Sequence, residues 1–299
     1  MTAALAMALA LDAALGEPRW LWSRAPHPAV LMGRAVDALD RALNRGGRRR
    51  ARGAAALVAL AAGAWVAGAG VGALPAGEVL GAAVLLAQRS LVEHVRAVAR
   101  GLGRSVEEGR AAVALVVGRD TAGMDGPAIA RAAIESAAEN LSDGVVAPAF
   151  WFVVGGLPGM ALYKAVNTAD SMIGHRTARH GAFGWAAART DDLLNWIPAR
   201  LTALGLAAVS GTLRAWPAIA RDARRHRSPN AGWPEAAAAR ALGVALSGPR
   251  SYAGRRTDEP FVHPEGRRDP GPADIDRAVG LLWRGWGALL AAAVALALL

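Results

Sequence analysis

Residues 163–176, YKAVNTADSMIGHR, crowd Lys164, Asn167, Thr168, Asp170, Ser171 and His175 onto the end of an apolar run. On a helix, Asn167, Asp170 and Ser171 fall at i, i+3 and i+4 and share one face, with Lys164 a turn earlier. Carboxylate and amide oxygens are hard donors for magnesium, and a lysine is a point charge for phosphate. Polar groups at membrane depth are functional candidates, so this string predicts a magnesium-phosphate site. The competing reading is an interfacial cap in which Tyr163 and Lys164 snorkel to the surface.

Three further stretches carry related chemistry. In DGPAIARAAIESAAENLSDGVVAP (125–148), Asp125 and Pro127 are start signals for a helix. Glu135 and Glu139 are four apart and share a face, and Asp143 falls below them if the helix persists. Like charges at that spacing invite a magnesium ion or a cationic partner. The alternative is a solvated acidic face with Arg131 paired to Glu135. In RTDDLLNWIPAR (189–200), Asp191 or Asp192 with Asn195 repeats the carboxylate–amide spacing, or forms a carboxylate pair favoured by a helix dipole. In VALVVGRDTAG (113–123), Arg119 and the backbone amides of a turn suit phosphate, while Asp120 or Thr121 also suits a helix cap. RSLVEHVRAVAR (89–100) sets Glu93, His94 and Arg96 on a helix. There is no P-loop, no G-x-G-x-x-G after a strand and no H-E-x-x-H, so nucleotide chemistry here uses an unfamiliar site.

The elements that must position these groups are apolar. The chain has 299 residues, 54% hydrophobic and 19% charged, with a mean hydropathy of +0.25. An ordinary soluble domain is about 25% charged. The absence of cysteine excludes disulfides, thiolate metal sites and cysteine nucleophiles. The net charge of +10 is carried by arginines that flank apolar runs, such as RGGRRRAR (45–52). That pattern follows the positive-inside rule and argues against a nucleic-acid partner.

A bilayer span needs about 20 apolar residues. Runs 1–16, 53–73, 76–92, 145–162 and 279–299 are candidates, with 193–211 as a weaker sixth. The first has no basic leader and is interrupted by Asp12, which predicts an anchor or interfacial helix, not a cleaved signal peptide. Glycines in 53–73 predict close helix packing. Pro148, Gly155, Gly156 and Pro158 predict a broken helix over 145–162, and Pro198 and Arg200 argue against a simple span at 193–211. These two segments are read as a membrane-dipping pair with their polar ends toward one aqueous face. Trp283, Arg284 and Trp286 read as an interface belt. Pro229, Asn230 and Gly232 predict a turn, followed by a helix with Pro234 in its first turn, and Asp274 is a candidate cap for the last helix. The fold class expected is all-α: one polytopic membrane bundle over 1–299 with broken, membrane-dipping helices. Polar segments 17–52, 93–144, 163–192 and 212–278 supply cytoplasmic helical loops.

Taken in order, SLVEHVRAV, VGRDTAGMD, AAIESAAENLSDGVVAPAFWF, GLPGMALYKAVNTADSMIGHR, FGWAAARTDDLLNWIPARL and SPNAGWPEAA strongly resemble adenosylcobinamide-phosphate synthases of cobalamin biosynthesis. These are the CobD/CbiB family of polytopic membrane proteins. The opening LGEPRWLWSRAPHPAVLMGRAV (15–36) is similar too, and 89–200 is the most specific part. The resemblance implies an ATP- and magnesium-dependent ligase that joins adenosylcobyric acid to aminopropanol or its phosphate. It implies residence in the inner membrane with the site facing the cytoplasm; the partners expected are the two substrates, the lipid bilayer and a second copy in a homo-oligomer. Under that chemistry, Glu135, Glu139, Asp143, Asn167 and Asp170 supply metal and polar ligands. Lys164 and Arg119 face phosphates beside Asp120, Thr121 and Asn195, and Glu93, Asp191 or Asp192 is the base. Trp151, Trp185 and Trp196 are candidates for receiving the corrin face, or for an interface belt.

Two other functions fit the residues. Broken helices with buried polar groups suit a transporter. Carboxylates on facing helices suit a magnesium-dependent prenyl transferase, although this chain has Glu-x-x-x-Glu and Asn-x-x-Asp in place of paired Asp-x-x-x-Asp helices. A membrane scaffold without chemistry is a third reading.

Overall fold

The structure, a computed structural model, describes residues 2–252, 255–257 and 259–298. The helices in chain order are α1 (Thr2–Leu15), α2 (Arg19–Trp22), α3 (Pro28–Leu43), α4 (Arg49–Gly72), α5 (Gly77–Leu85), α6 (Gln88–Arg104) and α7 (Val106–Val113). They continue as α8 (Gly126–Leu141), a π turn (Ser142–Val146), α9 (Ala147–Ile173), α10 (Trp185–Leu194), α11 (Trp196–Val209), α12 (Trp216–Ala223), α13 (Gly232–Leu242) and α14 (Pro272–Leu298). Among the described residues, strands are confined to short antiparallel pairs: β1 (Leu246–Ser247) with β4 (Phe261–Val262), and β2 (Arg250–Tyr252) with β3 (Arg255–Thr257). The fold is all-α, and Arg49–Gly72, Gly126–Ile173 and Pro272–Leu298 are long and apolar enough to cross a membrane.

The chain forms two compact units built from interleaved segments. The first holds residues 1–87, 143–195 and 292–299; the second holds 88–142 and 196–291. In the first, α9 packs against α4, α10, α3 and α5. Its core joins Val36, Ala56, Ala169, Ile173, Phe183 and Ala187. Close approach of α4 to α9 depends on Gly68: a Cβ there would lie 2.8 Å from Pro158 Cα and 2.9 Å from the Leu157 carbonyl. The packing expected from the glycines of 53–73 is realised at this point. Gly68→Val is therefore expected to overpack the contact and destabilise the protein by about 1–3 kcal/mol or more. A lowered midpoint of thermal unfolding in detergent measures it, and an unchanged midpoint refutes the contact.

The expected break over 145–162 is present. Gly155 (φ −137°, ψ 19°) and Gly156 (φ 62°, ψ −160°) leave the helical region, and Pro158 comes two residues later. The conformation of Gly156 is open in practice to glycine alone.

Other expectations need correction. The apolar run 76–92 is not one element: α5 has nine residues, and Leu86 turns extended (φ −83°, ψ 161°) before α6 begins at the buried Gln88. Run 193–211 is also divided, at Asn195, leaving α11 with 14 residues, short of the roughly 20 a span needs. Arg200 there lies between the rings of Trp196 and Trp233, 4.4 and 4.7 Å from their centroids, and donates to Asn230 Oδ1 (3.1 Å). Asp274 does not sit at the N-cap position. It lies inside the first turn of α14 and reaches back to accept from Gly271 N (2.9 Å), the acidic half of a capping box.

In the second unit, α8 packs on α6, α7 and α13. Buried Leu91, Val92, Val95, Val98 and Ala99 form one stripe of α6, the spacing of an amphipathic helix. Asp125 caps α8 by accepting from Ala128 N (2.8 Å), with Pro127 in the first turn, as the sequence predicts. The turn before α13 and Pro234 in its first turn also match.

Candidate functional site

In the first unit a polar cluster gathers at the C-terminal half of α9. The π turn widens the helical ladder after Leu141 and contributes Asp143. Such turns re-aim the side chains beyond them and recur at functional sites. The last three turns of α9 supply Tyr163, Lys164, Asn167 and Asp170, and α10 supplies Asp191, Asp192 and its capping residue Asn195.

These side chains form a continuous string. Tyr163 Oη donates to Asn195 Oδ1 (2.9 Å) and lies 3.2 Å from the Asp143 carbonyl. Asn195 Nδ2 donates to Asp191 Oδ2 (3.0 Å), so each end of that amide is used. Asn167 Nδ2 donates to Asp191 Oδ1 (3.1 Å) and lies 3.5 Å from Asp143 Oδ2. Tyr163, Asp191 and Asn195 are buried. Removing water disfavours the Asp191 carboxylate, and the nearby charge of Asp170 adds to the effect. Together these push its carboxyl up to about 7 against the two amide hydrogen bonds. Burial also raises Asp192, which Arg189 (3.3 Å) and Arg176 oppose. Half-buried Lys164 has Asp143 and Glu17 as its charged neighbours.

Asp143, Asn167, Asp170, Asp191 and Asn195 thus come together, with Lys164 beside them. Sequence reasoning missed two participants. Tyr163, which enters the sequence reading only in the competing alternative as a snorkelling ring, is fully buried and orients Asn195; its apolar neighbours on α9 are the available signal. Glu17 sits between two helices with no spacing that links it to Lys164. Tyr163→Phe leaves Asn195 Oδ1 without this donor and is expected to destabilise the protein by about 1–3 kcal/mol. Calorimetry on the detergent-solubilised protein checks that value; a melting curve identical to that of the parent protein refutes it.

The second unit places the remaining candidates differently. Glu135 is buried and ion-paired with Arg119, and its other oxygen accepts from Ser247 N (2.7 Å). Arg131, the partner considered for Glu135, instead donates to the Arg268 carbonyl (2.7 Å). Glu139, one turn on, is exposed. Equal spacing thus leads to unlike surroundings, and both oxygens of Glu135 already have protein donors. Asp120 accepts from Ala122 N (3.1 Å), and the Thr121 carbonyl accepts from Met124 N (3.1 Å), as capping and turn residues do. Arg119, Asp120, Asp125, Arg131, Glu135 and Ser247 line a cavity of about 460 Å³. Glu93 pairs with Arg89 (2.6 Å) on the exposed side of α6.

Each of the aromatic candidates has a partner close by in its own unit. Trp151 Nε1 donates to the Leu194 carbonyl (3.1 Å), Trp185 carries the guanidinium of Arg50, and the Trp196 ring is covered by Arg200.

Among the described residues, no group of three or more His, Asp or Glu side chains is arranged to hold a metal ion. Magnesium, however, keeps several waters and commonly takes one or two carboxylates plus substrate phosphates. Asp143, Asp170 and Asn167 are the residue types such a mode would use, and Asp191 lies close enough to Asp170 to feel its charge.

The family model described as CobD/Cbib protein matches residues 5–282. A cobalamin biosynthesis protein CobD of Rhizobium meliloti is 50% identical over 93% of this chain and 91% of its own length. That of Rhodobacter capsulatus is 49% identical over 94% of this chain and 93% of its own, and that of Brucella suis 47% over 93% and 91%. No solved structure matches. A family match over nearly all of the chain, together with relatives this similar over nine-tenths of their own length, shows that this protein belongs to the CobD/CbiB family of cobalamin biosynthesis.

Proposed function

We propose that this protein is a ligase. It would join the carboxylate of a corrinoid, adenosylcobyric acid, to (R)-1-amino-2-propanol or its phosphate, using ATP and magnesium. The observation that carries the reading is the convergence of Asp143, Asn167, Asp170 and Asp191 beside Lys164 within one unit.

Amide formation from a carboxylate in water is uphill, so the carboxylate must be activated. In the proposed sequence, a corrinoid carboxylate oxygen attacks the terminal phosphorus of ATP, releasing ADP and leaving an acyl phosphate. The amine nitrogen then attacks the acyl carbon, phosphate leaves, and the amine loses a proton. Magnesium bound by Asp143, Asn167 and Asp170 would offset the charge of the phosphates. Lys164 offers them a further cation. Asp191, buried and raised by that burial, would be the base that takes the proton. Asn167 and Asn195 each hold one of its oxygens and so orient it. Three long apolar helices support multi-pass insertion in the cytoplasmic membrane, and ATP as co-substrate requires a site open to the cytoplasm.

The test uses purified protein with adenosylcobyric acid, amine, ATP and magnesium, followed by mass. The expected result is ATP-dependent formation of the amide, with positional isotope exchange in ATP when the amine is omitted. No product under any amine overturns the reading. The break at Gly155–Gly156 gives some support to a carrier instead. Corrinoid uptake into proteoliposomes without chemical change would select that alternative.

A further inference from the structure

We propose that the turn between α3 and α4, together with the 174–184 segment, forms a binding surface for the phosphate headgroups of anionic phospholipids. Six arginines lie between positions 41 and 52. The fold brings a second basic stretch onto them from about 130 residues away. Asn44 Nδ2 donates to the Arg179 carbonyl (3.1 Å), and Arg49 donates to the carbonyls of Ala178 and Arg179. Arg179 in turn pairs with the buried Asp40, whose carboxyl it holds below the usual carboxylate range despite burial.

These contacts sort the arginines by task. Arg41 answers Asp37, Arg179 answers Asp40, and Arg49 staples the two segments. Arg45, Arg48 and Arg50 are exposed, and no carboxylate among the described residues of that staple pairs with them. Arg48 is at the N-cap of α4 with φ +58° and makes no capping bond through its side chain. Its conformation is one that non-glycine residues adopt rarely and that recurs at functional sites.

A lipid surface fits this patch better than a soluble anion because a long apolar helix starts at its edge. Arg49 is the first residue of α4, a 24-residue span candidate roughly 36 Å long. Along that helix Val58, Trp65 and Val66 are exposed, so the arginines mark its aqueous end. The guanidinium of Arg50 lies 5.8 Å from the centre of the Trp185 ring, which is itself 48% exposed. An indole beside a cation at the end of an apolar helix is the arrangement of a headgroup interface.

The test is native mass spectrometry of the full chain released from mixed phosphatidylcholine and phosphatidylglycerol. The wild type is expected to retain phosphatidylglycerol preferentially. Each arginine near an anionic surface contributes about fivefold in retention, so Arg45→Gln/Arg48→Gln/Arg50→Gln together reduce that preference on the order of a hundredfold. The matching triple Lys variant keeps most of it, which separates charge from misfolding. Equal retention of the two lipids by the wild type overturns the proposal. So does displacement of phosphatidylglycerol by millimolar inorganic phosphate or ATP, which would assign the patch to a soluble phosphate.

Discussion

Asp170→Asn is expected to cut turnover severely while the protein stays folded. Asp170 lies in the last turn of α9, which contains no basic residue, and its charge bears on the buried Asp191. A carboxylate at a helix C-terminus is disfavoured by the dipole, and a second carboxylate nearby adds repulsion. Both effects oppose a carboxylate here, so neutralising it with a side chain of the same shape is expected to leave the melting temperature unchanged or raise it. Catalysis moves the other way. Loss of one charged ligand from a phosphate-handling site costs on the order of a hundred- to a thousandfold in rate. The ATP-dependent mass assay and a thermal melt on the same preparation read both effects. Full activity in this variant would remove Asp170 from the site, and a lowered melting temperature would show that its role is structural.

The second large effect is on stability. Arg119→Gln leaves the Glu135 carboxylate in place with its guanidinium partner gone. The Glu135 side chain is 3% exposed, and Ser247 N supplies one neutral donor. Breaking a buried ion pair from one side costs about 3–5 kcal/mol, because the remaining charge loses its ionic partner. Arg119→Gln/Glu135→Gln removes both charges and should recover most of that loss, as coupled neighbours do in a double-mutant cycle. Denaturation in mild detergent provides the comparison. Equal midpoints for the single variant and the wild type would show that the pair is not buried in solution. Any contribution of Arg119 to phosphate binding would then appear separately, as a raised KM in the double variant.

Helix starts, the break in the apolar segment and the all-α class were legible because each depends on a few neighbouring residues. Asp125 and Pro127 open α8 through one capping bond and one missing N–H. Gly155, Gly156 and Pro158 interrupt α9 for equally local reasons. The spacing of Lys164, Asn167 and Asp170 likewise fixed which residues share a helical face. The arrest of the run 76–92 was not legible, because an extended Leu86 leaves no mark in an apolar stretch.

Partnership between distant side chains lay beyond any spacing rule. Glu135 and Glu139 are equivalent by period, yet one is enclosed by Arg119 and Ser247 and the other is exposed. Tyr163 looked like an interfacial ring and is the buried donor that holds Asn195. The π turn that brings Asp143 to Asn167 inserts a single residue into a helix, and its sequence SDGVV reads equally well as a cap. The chain alone therefore determined the helices, their apolar faces and the polar residues each face carries, since these arise from contacts within a turn or two. Which of those residues meet was decided only by packing, because burial and hydrogen bonding between segments depend on how whole helices close against one another.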